Sequence, residues 1–128
     1  MAARLGARVA SPEGPPVLAR ANASRLETAV SNLLRNALEA GGPAEEVHVE
    51  LEPTWREVRI RVLDRGAGLP PGFPAGRFEP FRTTKANGMG IGLSIAGRFV
   101  EACGGSLALE RREGGGAAAT IVLPRVSP

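Results

Sequence analysis

Phe78-Glu79-Pro80-Phe81-Arg82-Thr83-Thr84-Lys85-Ala86-Asn87-Gly88-Met89-Gly90-Ile91-Gly92-Leu93-Ser94 sets two threonines and the chain's single lysine just ahead of three glycines at alternate positions. The glycines open a stretch that reads as an amphipathic helix from about Gly90 to Cys103. Bare backbone amides, a helix N-terminus and one ammonium group converging on a small volume make a site for a multiply charged anion, most naturally a phosphate chain. The remaining fifteen basic residues are all arginine, which sets Lys85 apart. Two common phosphate loops are excluded. A Walker loop needs Gly-Lys-Ser/Thr, and here the lysine follows a threonine. A dinucleotide fingerprint needs Gly-x-Gly-x-x-Gly directly after a strand, whereas this spacing differs and a loop precedes it.

Working outward, the 128 residues suit one domain spanning 1–128, with no internal repeat. No apolar run reaches membrane-spanning length, and Met1-Ala2-Ala3-Arg4 lacks the apolar core of a signal peptide. One cysteine, Cys103, cannot form an internal disulfide, which fits a reducing, cytoplasmic setting, and it reads as a small buried hydrophobe. The formal charge of +3 is spread as isolated arginines without interleaved aromatics, so no nucleic-acid surface and no direct membrane contact are expected.

Residues 7–10 and 17–20 read as short strands around a Pro/Gly turn at 11–16. A long helix is expected from a cap at Asn22 or Ser24 to about Ala40, stopped by Gly41-Gly42-Pro43. Its apolar positions Leu26, Ala29, Val30, Leu33, Leu34, Ala37 and Leu38 form one stripe. Residues 47–51 and 58–63 alternate as two half-buried strands of a hairpin turning at Pro53-Thr54. A Gly/Pro-rich loop follows from Arg65 to Arg77, then the segment through Lys85, the second helix, and strands at 106–111 and 118–123. This order predicts an α+β two-layer sandwich, a mixed and mostly antiparallel sheet with helices on one face.

Asn32 and Asn36, one turn apart on the first helix, share a face beside the apolar stripe. They read either as a solvated helix edge or as amide oxygens that help hold a hard cation such as Mg²⁺ gripping phosphate oxygens. Asp64 ends a strand and is followed by Arg65-Gly66-Ala67-Gly68. It reads either as a turn-starting aspartate or as a carboxylate that receives a purine exocyclic amine.

Together these segments resemble the boxes of the sensor histidine kinases. Asn32-Leu33-Leu34-Arg35-Asn36-Ala37 is similar to the N box and Asp64 to Gly68 to the first glycine box. Phe78 to Lys85 resembles the F box, Gly88 to Leu93 the second glycine box, and Gly114-Gly115-Gly116 with Leu123-Pro124 the terminal box. The resemblance spans about residues 5–124. It implies the Bergerat ATP-binding fold shared with the ATPase domains of Hsp90, gyrase and MutL, with ATP and Mg²⁺ as ligands. On that resemblance Asn36 binds Mg²⁺ and Asn32 assists near the phosphates. Asp64 bonds the adenine amine in a pocket shaped by Gly66 and Gly68. Thr83, Thr84 and Lys85 face the β/γ-phosphates, while Gly88, Gly90, Gly92 and Leu93 bring backbone and helix to them. Phe78 and Phe81 pack as a lid hinge.

The related ATPases carry a glutamate four residues before the Mg²⁺-binding asparagine. Asn32 stands there instead, and an amide is no general base. The resemblance therefore implies phosphoryl transfer to a histidine on a separate helical hairpin, the dimerisation domain of a parent kinase, with a response regulator downstream. His48, the only histidine, lies in a strand pattern as a surface residue, so the acceptor is expected on another domain and the isolated domain is expected to be monomeric. The chain starts where such catalytic domains start, so an excised piece of a longer kinase is expected. In the last box, Ala117-Ala118-Ala119 replaces the family's threonine and phenylalanine, and Thr120 offers a substitute hydroxyl toward the base. The rival readings are an ATPase of the same fold and a catalytically silent interaction domain.

Overall fold

The computed structural model describes residues 6–11, 14–69, 75–77 and 89–126. Strands β1 (Gly6–Ser11) and β2 (Gly14–Arg20) form an antiparallel hairpin of their own. The helix α1 (Ala23–Glu39) and a short 3-10 turn (Ala44–Glu46) follow. Next come β3 (His48–Pro53), β4 (Glu57–Leu63), β5 (Gly76–Arg77), α2 (Met89–Ala102), β6 (Ser106–Arg111) and β7 (Ala117–Pro124). The last five strands make one sheet in the order β3-β4-β7-β6-β5. Every pairing among the described residues is antiparallel.

The start of α1 and the end of α2 are set by local chemistry. The Asn22 side chain accepts from the Arg25 N–H at 3.0 Å, and the Leu26 N–H closes the first turn on the Asn22 carbonyl at 2.9 Å. Such a cap is worth about 1 kcal/mol. At the end of α2, the Gly104 N–H bonds the Glu101 carbonyl and the Gly105 N–H reaches back to Val100, both at 3.0 Å. This crossed pair needs a left-handed residue, and Gly104 supplies it with φ +83°.

Leu26, Ala29, Leu33 and Ala37 of α1, with Leu93, Ala96 and Val100 of α2, bury one helical layer. They meet Val58, Ile60 and Val62 of β4, Leu107 and Leu109 of β6, and Ile121 and Leu123 of β7. The opposite sheet face carries Glu50, Glu52, Arg59 and Arg61, whose alternation with the apolar set is the strand period. The two-layer α/β sandwich read from the sequence is thus the observed fold.

Several elements differ in detail. β5 lies inside the stretch expected to be loop; two residues are too few to show a period, and pairing with β6 alone makes them a strand. β2 takes in Gly14, Pro15 and Pro16, expected in a turn. β3 is mostly exposed rather than half-buried, with Val49 49% accessible and only Leu51 partly covered. As the edge strand, it has a neighbour on one side only. His48 is exposed as expected; Cys103 does pack against the core, but half-buried rather than buried, because it lies at the end of α2.

Candidate functional site

Between the C-terminal half of α1 and the ends of β4 and β7 lies a cleft with about 430 Å³ of empty volume, solvent mouth included. Its walls are apolar, with Leu33, Val62, Leu69, Leu93 and Leu109 among them. Among the described residues the ionisable group in the wall is Asp64 and the amide is Asn36. Apolar walls around a few convergent polar groups are what a flat heterocyclic ligand requires.

Asp64 follows directly on β4, whose pairing with β7 runs from Glu57–Pro124 to Leu63–Ala118, so the next residues, Asp64 and Ala117, face each other. The Asp64 N–H donates to the Ala117 carbonyl at 3.0 Å. Its carboxylate Oδ1 accepts from the Gly66 N–H at 2.8 Å and from the Ala117 N–H at 3.3 Å. The residue is 6% exposed, yet Oδ2 has no partner among the described residues. One oxygen is therefore consumed in orienting the carboxylate, and no described residue occupies the other.

The first glycine box owes its glycines to close backbone approaches. A Cβ on Gly66 would lie 2.5 Å from the Ala40 carbonyl oxygen, where the end of α1 packs on the loop. The adjacent Ala67 N–H bonds that same carbonyl at 2.9 Å. Gly68 lines the cleft with φ +79°. The loop after β4 is thereby fastened to the end of the asparagine-bearing helix.

Asn36 projects into the cleft wall, and its Nδ2 is buried without a hydrogen-bond partner. An unpaired buried NH₂ costs on the order of 1–3 kcal/mol, so its place in a cleft points to a ligand that brings an acceptor, such as a phosphate oxygen. The donor set fits a cation that arrives with its own ligands. The atom a cation would take is the other end of the amide, the hard oxygen Oδ1, and no cluster of three His, Cys, Asp or Glu side chains exists among the described residues. Magnesium carried on phosphate oxygens and water needs only such a partial protein shell. Asn32 is partly buried one turn earlier on α1 and does not line the cleft.

Of the other residues singled out from the sequence, Leu93 lines the cleft, and Gly90 and Gly92 lie in the first turns of α2. Thr83, Thr84, Lys85 and Gly88, with Phe78 and Phe81, lie outside the described residues. Thr120 does not replace the missing hydroxyl at the cleft. Its register opposite Arg61 and Ala108 puts it on the sheet face away from the helices, and its Oγ1 is buried without a partner. The alanines Ala117, Ala118 and Ala119 themselves form the cleft wall there. Sequence reasoning missed the apolar lining outside the boxes (Val62, Leu69, Leu109), because a pocket wall and a core face share one pattern.

Residues 21–127 match the family described as histidine kinase-, DNA gyrase B- and HSP90-like ATPases. Among curated proteins, the C4-dicarboxylate transport sensor protein DctS of Rhodobacter capsulatus is 41% identical over 103 residues, which is 77% of this chain and 16% of that protein. Among solved structures, the mycobacterial sensor histidine kinase MprB superposes with a TM-score of 0.69 at 30% identity, over 88% of this chain and 78% of that one. Full-length ShkA in complex with AMPPNP gives 0.68 at 29% identity, over 94% of this chain and 25% of that one. The chain thus spans less than a quarter of the length of the curated relative.

Proposed function

The chain belongs to the family of histidine kinase-, DNA gyrase B- and HSP90-like ATPases, with sensor histidine kinase domains as its relatives, and from that membership we propose that it binds Mg·ATP and donates the γ-phosphoryl group to a histidine on a separate helical hairpin domain. The observation that carries this reading is the half-used Asp64 carboxylate in an apolar cleft shared with the unpaired Asn36 amide.

Asp64 reads the base. With Oδ1 held by two backbone N–H groups, one acceptor oxygen remains, which suits the single exocyclic amine of adenine. Guanine would use two carboxylate oxygens at once, through N1–H and its 2-amino group, and only one is free. The apolar walls sandwich the ring, and Gly66 and Gly68 let the backbone close round it. Asn36 holds Mg²⁺, with Asn32 near the phosphates; bound there, the metal neutralises charge on the phosphate oxygens. Thr83, Thr84 and Lys85 contact the β/γ-phosphates, and the amides from Gly88 through Gly90 and Gly92 to Leu93 cradle them.

In the transfer, an imidazole nitrogen of the acceptor attacks the γ-phosphorus. The bond to the β,γ-bridging oxygen breaks, ADP leaves with its electron pair, and the imidazole gives up its proton to solvent. Phosphoryl transfer asks mainly for positioning and charge stabilisation. Asn32 in place of a glutamate leaves attacking water without a base, which favours transfer to a protein over hydrolysis.

The surroundings of the reaction belong to the same proposal: a parent kinase dimerised through its hairpin domain, a response regulator downstream, and a cytoplasmic setting. No helix among the described residues is long and apolar enough to cross a membrane. Titration calorimetry with the non-hydrolysable analogue AMPPNP in Mg²⁺ tests the reading. Saturable one-site binding and phosphorylation of a supplied cognate hairpin are expected; no binding at millimolar nucleotide would refute it.

A further inference from the structure

Asp64 is held by more than its own hydrogen bonds. Arg65 turns away from the cleft, and its NH1 donates to the carbonyls of Glu113 and Gly115, both at 2.7 Å. In return, Arg112 NH1 donates to the Asp64 carbonyl at 2.9 Å. The turn between β6 and β7 closes on itself through Arg112 N–H to Gly116 O at 3.0 Å and Gly115 N–H to Arg112 O at 3.1 Å. Gly116 then lies flat on the Asp64–Arg65 backbone: its φ is +99°, and a Cβ there would overlap the Asp64 carbonyl oxygen and lie 2.8 Å from the Arg65 Cα. Two stretches some fifty residues apart are thus cross-tied by a reciprocal pair of arginines.

The consequence falls on Ala117. Its N–H is one of the two donors to Asp64 Oδ1, and its carbonyl accepts the Asp64 N–H. Ala117 directly follows the turn that Arg65 pins. We propose that Arg65, with Arg112, is a positioning residue for base recognition: it fixes the β6–β7 turn, the turn fixes the Ala117 N–H, and that N–H holds Oδ1 so that Oδ2 alone faces the ligand. Neither guanidinium touches the nucleotide. Loosening the turn frees the carboxylate to rotate and to present two oxygens. Selectivity then suffers more than affinity.

The inference rests on the reading of the cleft as a base pocket, and two measurements keep the two apart. The first needs no nucleotide. In Arg65→Gln, hydrogen exchange at the Ala117 amide is expected to be at least about tenfold faster than in the wild type, with helix α1 amides unchanged. Unchanged Ala117 exchange overturns the brace whatever the cleft binds. The second compares ATP with inosine triphosphate, which carries an oxygen where adenine carries its amine. The wild type is expected to prefer ATP, and R65Q to lose about tenfold of that preference, the scale of one hydrogen bond to a charged group. Arg65→Lys keeps a cationic donor and is expected to restore most of it. Arg112→Gln, a milder change should R65Q fold poorly, is expected to shift both readouts the same way. Equal weakening of both nucleotides in R65Q and R112Q indicates a merely structural role and overturns the proposal. A wild type without preference for ATP counts instead against the base-pocket reading.

Discussion

Asp64→Asn separates the two jobs of one carboxylate. The substitution is isosteric, and an asparagine side-chain oxygen in place of Oδ1 can still accept from the N–H groups of Gly66 and Ala117, which lie 2.8 and 3.3 Å from Oδ1 in the wild type. Those bonds pass from a charged to a neutral acceptor, a loss of about 1 kcal/mol in stability. The amide NH₂ then takes the position of Oδ2 and meets the adenine amine donor to donor. The lost hydrogen bond to a charged group amounts to roughly 1.5–3 kcal/mol, and an unmatched donor adds to it, so the Kd for ATP rises about 30- to 300-fold. Inosine triphosphate has a carbonyl at that edge, so it accepts from the new NH₂, and its affinity holds or improves. Calorimetric titration of both nucleotides at fixed Mg²⁺, with thermal unfolding as a control on the fold, reads all three effects. An unchanged Kd for ATP in a folded D64N protein would refute the assignment of Asp64 to the base. Parallel losses for both nucleotides would show that the carboxylate merely shapes the loop.

Asn36→Ala removes a buried unpaired amide and adds the best helix former, so the ligand-free protein is expected to gain about 0.5–1 kcal/mol in chemical denaturation while losing Mg²⁺-dependent nucleotide binding. Gly116→Ala forces a Cβ against the Asp64 carbonyl at φ +99° and is expected to cost more than about 2 kcal/mol, with nucleotide binding lost even at temperatures where the protein stays folded. Asn22→Ala removes the acceptor for the Arg25 N–H and is expected to lower stability by about 1 kcal/mol while leaving the Kd for ATP unchanged, a control remote from the cleft. Asn32→Glu restores a general base one turn before Asn36; the expected gain is slow steady ATP hydrolysis by the isolated chain, measured as phosphate release above the wild-type background.

How far the sequence could be read follows from what each residue must do. Helices α1 and α2 announced themselves because a stripe at 3.6-residue spacing, an Asn22 cap and a Gly104-Gly105 stop are local facts, visible without a neighbour. β5 and the exposure of β3 were not legible, because each depends on which strand lies alongside and on what covers it. The same division runs through the site. Asp64, Gly66 and Gly68 stand close together because the tight backbone approaches after β4 demand a turn-holding carboxylate and glycines within a few positions, and Asn36 lies in the same cleft. Arg65 carried no such mark, since an arginine after a strand looks like any solvated charge until the β6–β7 turn, some fifty residues on, is folded against it. Thr120 errs the other way: a hydroxyl near the right box looked functional, and a pairing register opposite Arg61 puts it on the wrong face of the sheet. A strand reverses its face at every residue, so a motif located to within one position does not yet say which side of the sheet its side chain serves. Asn36 escapes that ambiguity because the apolar stripe beside it fixes its angle on α1. Two buried polar atoms among the described residues lack a partner, Asn36 Nδ2 and Thr120 Oγ1, and of the two only Asn36 lines the cleft, where a ligand could offset a cost that packing alone does not explain.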